Sequence, residues 1–267
     1  MLFLVRNAPT APAARSFFAL FCTLVSNVVD ANVSDLVAFT LSSGSIIGLN
    51  KDDEATQEER KEQGLKPRER PINQGSLLLK LAFDLALHSP PAQEAAKELR
   101  PIQQGLGAPR GMEMIAHLCN ILYAEGYAIL KVDATNGFQE IKRSSLHRAV
   151  ANRCPTLLSL FTKYYTKESI CFFNMEDGVR LLSATEGARI GCKLSSFAFA
   201  LTVQDLYESI KRGFLRARDG SCIKAATDDV IIVLKADSSN QKALYAKVND
   251  ICTALKIGGA KVGIFFQ

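Results

Sequence analysis

The sequence predicts an α+β fold, and three observations carry that prediction. From Tyr127 onward the segments follow in the order strand, helix, helix, hairpin, helix, hairpin, helix. The strand-like runs in that half, such as "SICFF" with "VRLLSA", come in pairs around short polar turns, the mark of antiparallel hairpins. Before Tyr127 the chain is mostly helical with short strands of its own, which predicts a separate lobe. An antiparallel sheet with helices on one face would account for residues 127–267, and the helical lobe for residues 1–126.

The elements are read in order. Residues 12–42 predict one or two apolar helices interrupted near "DANVSD". Within them "FFALFCTLVSNVV" (Phe17 to Val29) is too short to span a bilayer and is expected as a buried helix. "SIIGLN" is a short strand, and the charged stretch from Lys51 to Glu69, with Gly64 and Pro67, predicts a mobile loop. "RPINQGS" leads into the helix "LLLKLAFDLAL", whose apolar residues recur at helical spacing and which "SPP" breaks. "QQGLGAPRG" is a glycine-rich loop entering the helix "MEMIAHLCNILYA". Strand "YAILKVD" follows, then two helices on either side of Pro155, the first hairpin, and a glycine-punctuated loop opening a long helix. The hairpin "IKAATDDVIIVLKA" and the helix "NQKALYAKVNDICTAL" complete the order.

The composition narrows the function classes. Apolar residues make up 48% and charged residues 22%, as in ordinary globular chains, and a formal charge of +5 permits a polyanionic partner without demanding one. Seven cysteines are scattered without C-x-x-C spacing, which suits buried thiols in a reducing compartment and not a disulfide framework or a zinc site. The histidines at 88, 117 and 147 lie on helical patterns and read as structural. The expectation is an intracellular chain, neither secreted nor held in a membrane, with nucleus and cytoplasm both open.

Two adjacent carboxylates, Asp228 and Asp229, stand inside a run that otherwise favours a buried strand. A hairpin turn is one explanation, since Asp is a common turn residue. A metal site is the other, and it requires a further carboxylate. Asp133, at the end of "YAILKVD", supplies one if that strand neighbours the hairpin. Three close anions repel unless cations neutralise them, and oxygen ligands without nearby His or Cys suit magnesium. A paired-metal site of this kind serves phosphoryl or nucleotidyl transfer.

With these motifs in view, the sequence resembles the reverse transcriptases, in particular the fingers and palm of the retrotransposon, non-LTR-like type. The resemblance covers about Leu36 to Lys261. "RPINQGS" and "QQGLGAPRGMEMIAH" are similar to the two fingers motifs, "LKVDATNGF" to motif A, "TEGARIGCKLSS" to motif B and "LKIGGAK" to motif D. "ATDD" stands where the family has Tyr-x-Asp-Asp. The implied architecture is a right-hand polymerase with an antiparallel palm sheet: residues 1–126 hold N-terminal helices and fingers, residues 127–267 the palm.

The resemblance implies a role for each matching residue. Asp133 and Asp228 would hold two Mg2+ ions, for which Mn2+ can substitute, with Asp229 beside them and the carbonyl of Ala134 completing one coordination sphere. Phe138 would be the wall that rejects a ribose 2′-hydroxyl. Arg70 would clamp the triphosphate, with Lys66 and Arg68 as helpers, and Lys261 would donate a proton to pyrophosphate. Ile190 and Gly191 would lie at the incoming nucleotide, and Gly187, Ala226 and Thr227 along the template and primer. The partners implied are an RNA template, a DNA primer and deoxynucleoside triphosphates.

Three positions depart from the family pattern. Ile190 replaces the motif B glutamine, Ser196 the proline after Leu-Ser, and Ala226 the tyrosine before the aspartates. No metal ligand is lost, yet the changes suit a divergent lineage or an element losing function. A primer grip, a thumb and a nuclease domain are not expected within these residues, which the resemblance makes part of a longer polyprotein. Three readings stay open: an RNA-directed DNA polymerase core, a catalytically silent nucleic-acid-binding remnant, and a viral RNA-directed RNA polymerase. Phe138 argues against the last, which must admit the 2′-hydroxyl.

Overall fold

The computed structural model of the chain describes residues 12–50, 52–65, 68–175, 178–236 and 239–266. These divide into two compact units. One holds the described residues up to Leu85 with Thr162–Thr185 and Arg189–Lys193, the other Ala86–Phe161, Glu186–Ala188 and those from Leu194 onward.

The first unit contains helices α1 (Pro12–Val29) and α2 (Asp35–Ser42) and a four-stranded sheet. Strand β1 (Gly44–Asn50) pairs antiparallel with β2 (Glu69–Gly75) and parallel with β5 (Ser169–Met175), which forms a hairpin with β6 (Gly178–Ala184). The predicted lead-in "RPINQGS" is thus a strand, because it satisfies its backbone along the full length of β1. Helix α1 is buried along one stripe only. Cys22, Val25 and Val28 recur at helical spacing and are covered, while Phe17, Leu20 and Leu24 are exposed. The edge of Phe83 meets the Tyr164 ring at 5.8 Å, and the Tyr164 hydroxyl donates to the Val28 carbonyl at 3.2 Å.

The loop expected over Lys51 to Glu69 contains a helix, α3 (Glu54–Glu62). Asp53 caps it, accepting the Thr56 N–H at 2.9 Å, and Arg60 and Lys61 fill its last turn, where cations favour the helix dipole. Charge hid this helix from the apolar-periodicity test, since no residue in it is buried.

The second unit is built on a three-stranded antiparallel sheet in the order β3 (Tyr127–Val132), β8 (Asp229–Lys235), β7 (Cys222–Ala226). Its buried strand residues include Val132, Ile223, Val230, Ile232 and Leu234, and the long helix α10 (Lys193–Phe214) brings Phe197, Phe199, Leu201 and Tyr207 to the same unit's core. Each large side chain covered in this way contributes about 1.5–3 kcal/mol. Helices α6 (Gly111–Ala124) and α8 (Arg143–Arg153) and the last helix α11 (Gln241–Val262) lie where the sequence predicts helices, and α11 runs further than expected, to a glycine cap at Gly263 with φ 86°. Helices α4 (Leu77–Leu87) and α9 (Leu158–Tyr165) also lie where the sequence predicts helices, and a short one opened by Pro90, α5 (Pro90–Glu98), is additional to them.

The fold class is α+β, as the sequence predicts. The compact units do not divide at residue 126, however. The β5–β6 hairpin joins β1, more than a hundred residues earlier, and stands in the first unit's sheet, outside the β3–β8–β7 sheet. No helix among the described residues is long and apolar enough to cross a membrane.

Candidate active site

The register of the β3–β8–β7 sheet brings the aspartates together at one end. Val132 pairs with Val230, so Asp133 leaves β3 beside Asp229, the first residue of β8. Ala226 pairs with Asp229, and only Thr227 and Asp228 lie between β7 and β8. A hairpin joined by two residues requires positive φ at the first of them, and Thr227 has φ 62°. For a β-branched residue this conformation is an outlier, costing about 1–3 kcal/mol that the surroundings must offset. The aspartate pair therefore closes the hairpin, with Asp133 beside it in register. The two explanations open in the sequence are compatible.

Asp133 is exposed, and Asp228 and Asp229 are half-buried. Asp229 Oδ1 lies 3.8 Å from the Lys131 ammonium. Among the described residues no three His, Cys, Asp or Glu side chains form a ready metal-binding group. Mutual repulsion opposes such a group, and Asp229 answers it with a lysine. The donor set fits a hard divalent cation nonetheless: carboxylate oxygens, open to solvent, at one sheet end, with no His or Cys among them.

Tyr207, on helix α10, lies within electrostatic reach of the turn, though its sequence position shows only a helix. It is fully buried, and its hydroxyl has no hydrogen-bond partner among the described residues. Its phenol is pushed far above the ordinary tyrosine range, by burial first and then by the negative charge of Asp228 and Asp229. Lys131 was also missed. Its spacing of two residues from Asp133 on a strand, which puts both on one face, was the available signal.

The segment after Asp133 is fixed tightly. Ala134 and Thr135 (β4) pair with Phe266 and Phe265 (β9), and Lys142 N–H donates to the Val262 carbonyl at 2.9 Å. These contacts dock the end of α11 on the chain that follows Asp133. Lys261 is exposed in the last turn of that helix. Phe138, half-buried in the one-turn helix α7 (Gly137–Glu140), stacks on Phe199 with ring centroids 4.8 Å apart and planes 19° apart.

Gly187 needs its glycine for the packing of its own chain. It is buried, with φ 74°, and a Cβ there would stand 2.5 Å from the Gln139 carbonyl oxygen. The close approach is to the backbone of Phe138 and Gln139. Ala188 N–H donates to the Phe138 carbonyl at 2.6 Å, and Arg143 Nε to the Gly187 carbonyl at 3.1 Å.

The remaining expected residues belong to the first unit. Arg70 is exposed on β2, opposite Leu49. The Ile190 carbonyl accepts the Asn73 N–H at 3.3 Å, and Gly191, with φ 89°, is exposed. Arg68 lies 3.5 Å from Asp52, so it is engaged in an ion pair. Lys66 lies outside the described residues.

Comparison with known proteins gives the family and the fold. The family model described as "Reverse transcriptase (RNA-dependent DNA polymerase)" matches residues 67–262. Solved structures with similar folds include the apo telomerase of Candida tropicalis truncated from the C-terminal domain. It has a TM-score of 0.52 at 15% identity, over 94% of this chain and 54% of that one. Telomerase from Candida albicans in complex with a fragment of telomeric RNA gives a TM-score of 0.57 at 12% identity, over 93% of this chain and 44% of that one. The chain thus spans about half the length of these structures. No curated protein matches it. The chain belongs to the reverse transcriptase (RNA-dependent DNA polymerase) family.

Proposed function

We propose that this chain is the fingers-and-palm core of an RNA-directed DNA polymerase, extending a primer 3′-hydroxyl with deoxynucleotides on an RNA template. The observation that carries the reading is the strand register that gathers Asp133, Asp228 and Asp229 at one end of the β3–β8–β7 sheet. Asp133 and Asp228, with the Ala134 carbonyl, would hold the divalent cations. Bound there, Mg2+ supplies activation of the 3′-hydroxyl and neutralises the charge that develops on the leaving pyrophosphate. The protein's own groups do the rest. Asp229 adds negative charge at the site, Phe138 limits the space at the sugar, and Lys261 delivers a proton toward pyrophosphate. Arg70, a planar guanidinium exposed on β2, suits a phosphate bidentately. Gly187, Ala226 and Thr227 would face template and primer, and Ile190 and Gly191 the nucleotide.

The order of the motifs supports a retroelement lineage, and the telomerases share the fold alone at this level of identity. A second reading, a silent nucleic-acid-binding remnant, draws on two features: Ala226 where the family has tyrosine, and the lysine facing Asp229. Primer extension on an RNA template with Mg2+ decides between them. Asp228→Asn keeps the shape of the side chain and deletes its charge, so extension should fall by roughly a thousandfold or more. Primer–template binding rests on cations meeting phosphates and should persist in low salt. Binding without any extension by the unaltered chain would establish the remnant instead.

A further inference from the structure

Edge strand β7 is covered by an irregular segment that acts as a partial fourth strand. Ala225 N–H donates to the Ile102 carbonyl at 2.8 Å, and Gln104 N–H to the Ala225 carbonyl at 2.8 Å, a short parallel bridge centred on Gln103 and Ala225. Gly105 permits the approach, since a Cβ there would stand 3.1 Å from the Ala226 Cα. The backbone pairing stops at this point, and a side chain continues it. Gln103, only 1% exposed, accepts the Thr227 N–H on Oε1 at 3.0 Å and points Nε2 to the Thr227 carbonyl at 3.5 Å. Its amide thus copies a peptide group and holds both polar atoms of the one residue between β7 and Asp228 that is forced into positive φ.

A buried glutamine used this way needs an explanation, because an apolar residue of similar length would fill the space without desolvating an amide. Thr227 supplies it. Threonine resists the left-handed region, and a conformation so disfavoured persists only where neighbours over-determine it. We infer that Gln103 is a positioning residue for the candidate active site, clamping Thr227 in its strained conformation so that the adjoining Asp228 carboxylate is held ready for a divalent cation. This inference rests on the reading of Asp228 as a metal ligand. The glutamine touches neither substrate nor metal and acts through the turn alone.

Gln103→Met, which keeps length and removes both hydrogen bonds, tests the assignment through Mn2+ binding followed by electron paramagnetic resonance, alongside hydrogen exchange at Thr227. The variant should lose protection at the Thr227 amide and bind Mn2+ about fivefold or more weakly. In primer extension kcat should fall while the nucleotide KM holds. Adding Thr227→Gly to Gln103→Met should restore Mn2+ affinity, since glycine accepts positive φ without a clamp. A general loosening of the fold would not be rescued by a glycine. If Gln103→Met does not fold, Gln103→Asn, whose amide is withdrawn by one methylene, takes its place with the same outcomes. Mn2+ binding that weakens in Asp228→Asn but is unchanged in the Gln103 variant overturns the inference alone. Unaltered protein that binds no Mn2+ overturns both it and the metal reading of Asp228. Mn2+ binding that depends on Gln103, in a chain that never extends a primer, upholds the clamp and removes the polymerase reading.

Discussion

Lys131 Nζ lies 3.8 Å from Asp229 Oδ1, so a cation of the protein's own already faces one of the three carboxylates at the sheet end. The lysine side chain is 70% exposed and the aspartate 50%, and a pair this open to water is worth no more than about 1 kcal/mol. Its bearing on metal binding is a matter of competition. Lys131→Met should leave the thermal midpoint within a few degrees and lower the Mg2+ concentration for half-maximal extension by up to about fivefold, the equivalent of that energy. An unchanged Mg2+ requirement would show Asp229 to be a bystander to the metal.

Phe138 has one ring face on Phe199 and is only half-buried, which leaves part of it open. Phe138→Val should therefore raise ribonucleotide incorporation relative to deoxynucleotide by about tenfold or more, as steric discrimination of this kind allows. Losing the stacked pair should also cost about 0.5–1.5 kcal/mol beyond the lost area. Kinetics with paired rATP and dATP substrates measure the first effect. The same sugar preference in variant and parent would sink the role of Phe138 as a steric wall.

Gly187 combines φ 74° with a backbone oxygen 2.5 Å from where a Cβ would stand. Gly187→Ala should destabilise the protein by more than about 2 kcal/mol, since left-handed backbone and a rigid clash act together. Urea unfolding measures it. A change below about 0.5 kcal/mol would mean that the loop moves aside freely.

Asp35 offers a prediction about pH. Hydrogen bonds from Lys167, then Lys163, hold its carboxyl down at about 2, from an ordinary value near 3.8. A depressed folded value means that the group favours folding above the ordinary carboxylate range and loses that contribution as pH falls toward 2. An NMR titration of Asp35 should show a midpoint near 2, and Lys167→Ala should raise it. A midpoint close to 3.8 would indicate that neither lysine holds the carboxylate in solution.

Much of the candidate site was legible because its signals are local. Asp133 closes an apolar strand, and the Asp pair interrupts another, so both positions stand out against strand propensity. What escaped depends on partners remote in sequence. The β5–β6 hairpin was recognised as a hairpin, but nothing within it says that β1 is its neighbour. In sequence Gln103 opens a glycine-rich loop, and its use depends wholly on Thr227, more than a hundred residues later. Helix α3 differs again: its signal is the Asp53 cap, and its sequence carries no apolar periodicity.

The turn between β7 and β8 has no slack in its length. Val230, Ile232 and Leu234 are covered because Ala226 pairs with Asp229 and not with a neighbour. One residue gained or lost there, with the hairpin kept closed, would rotate the whole of β8 by one step and turn those three side chains away from the core. A change of side chain at position 226 leaves that register intact, whereas a change in spacing does not. The buried face of β8 thereby fixes where Asp228 and Asp229 stand, independently of any chemistry they serve.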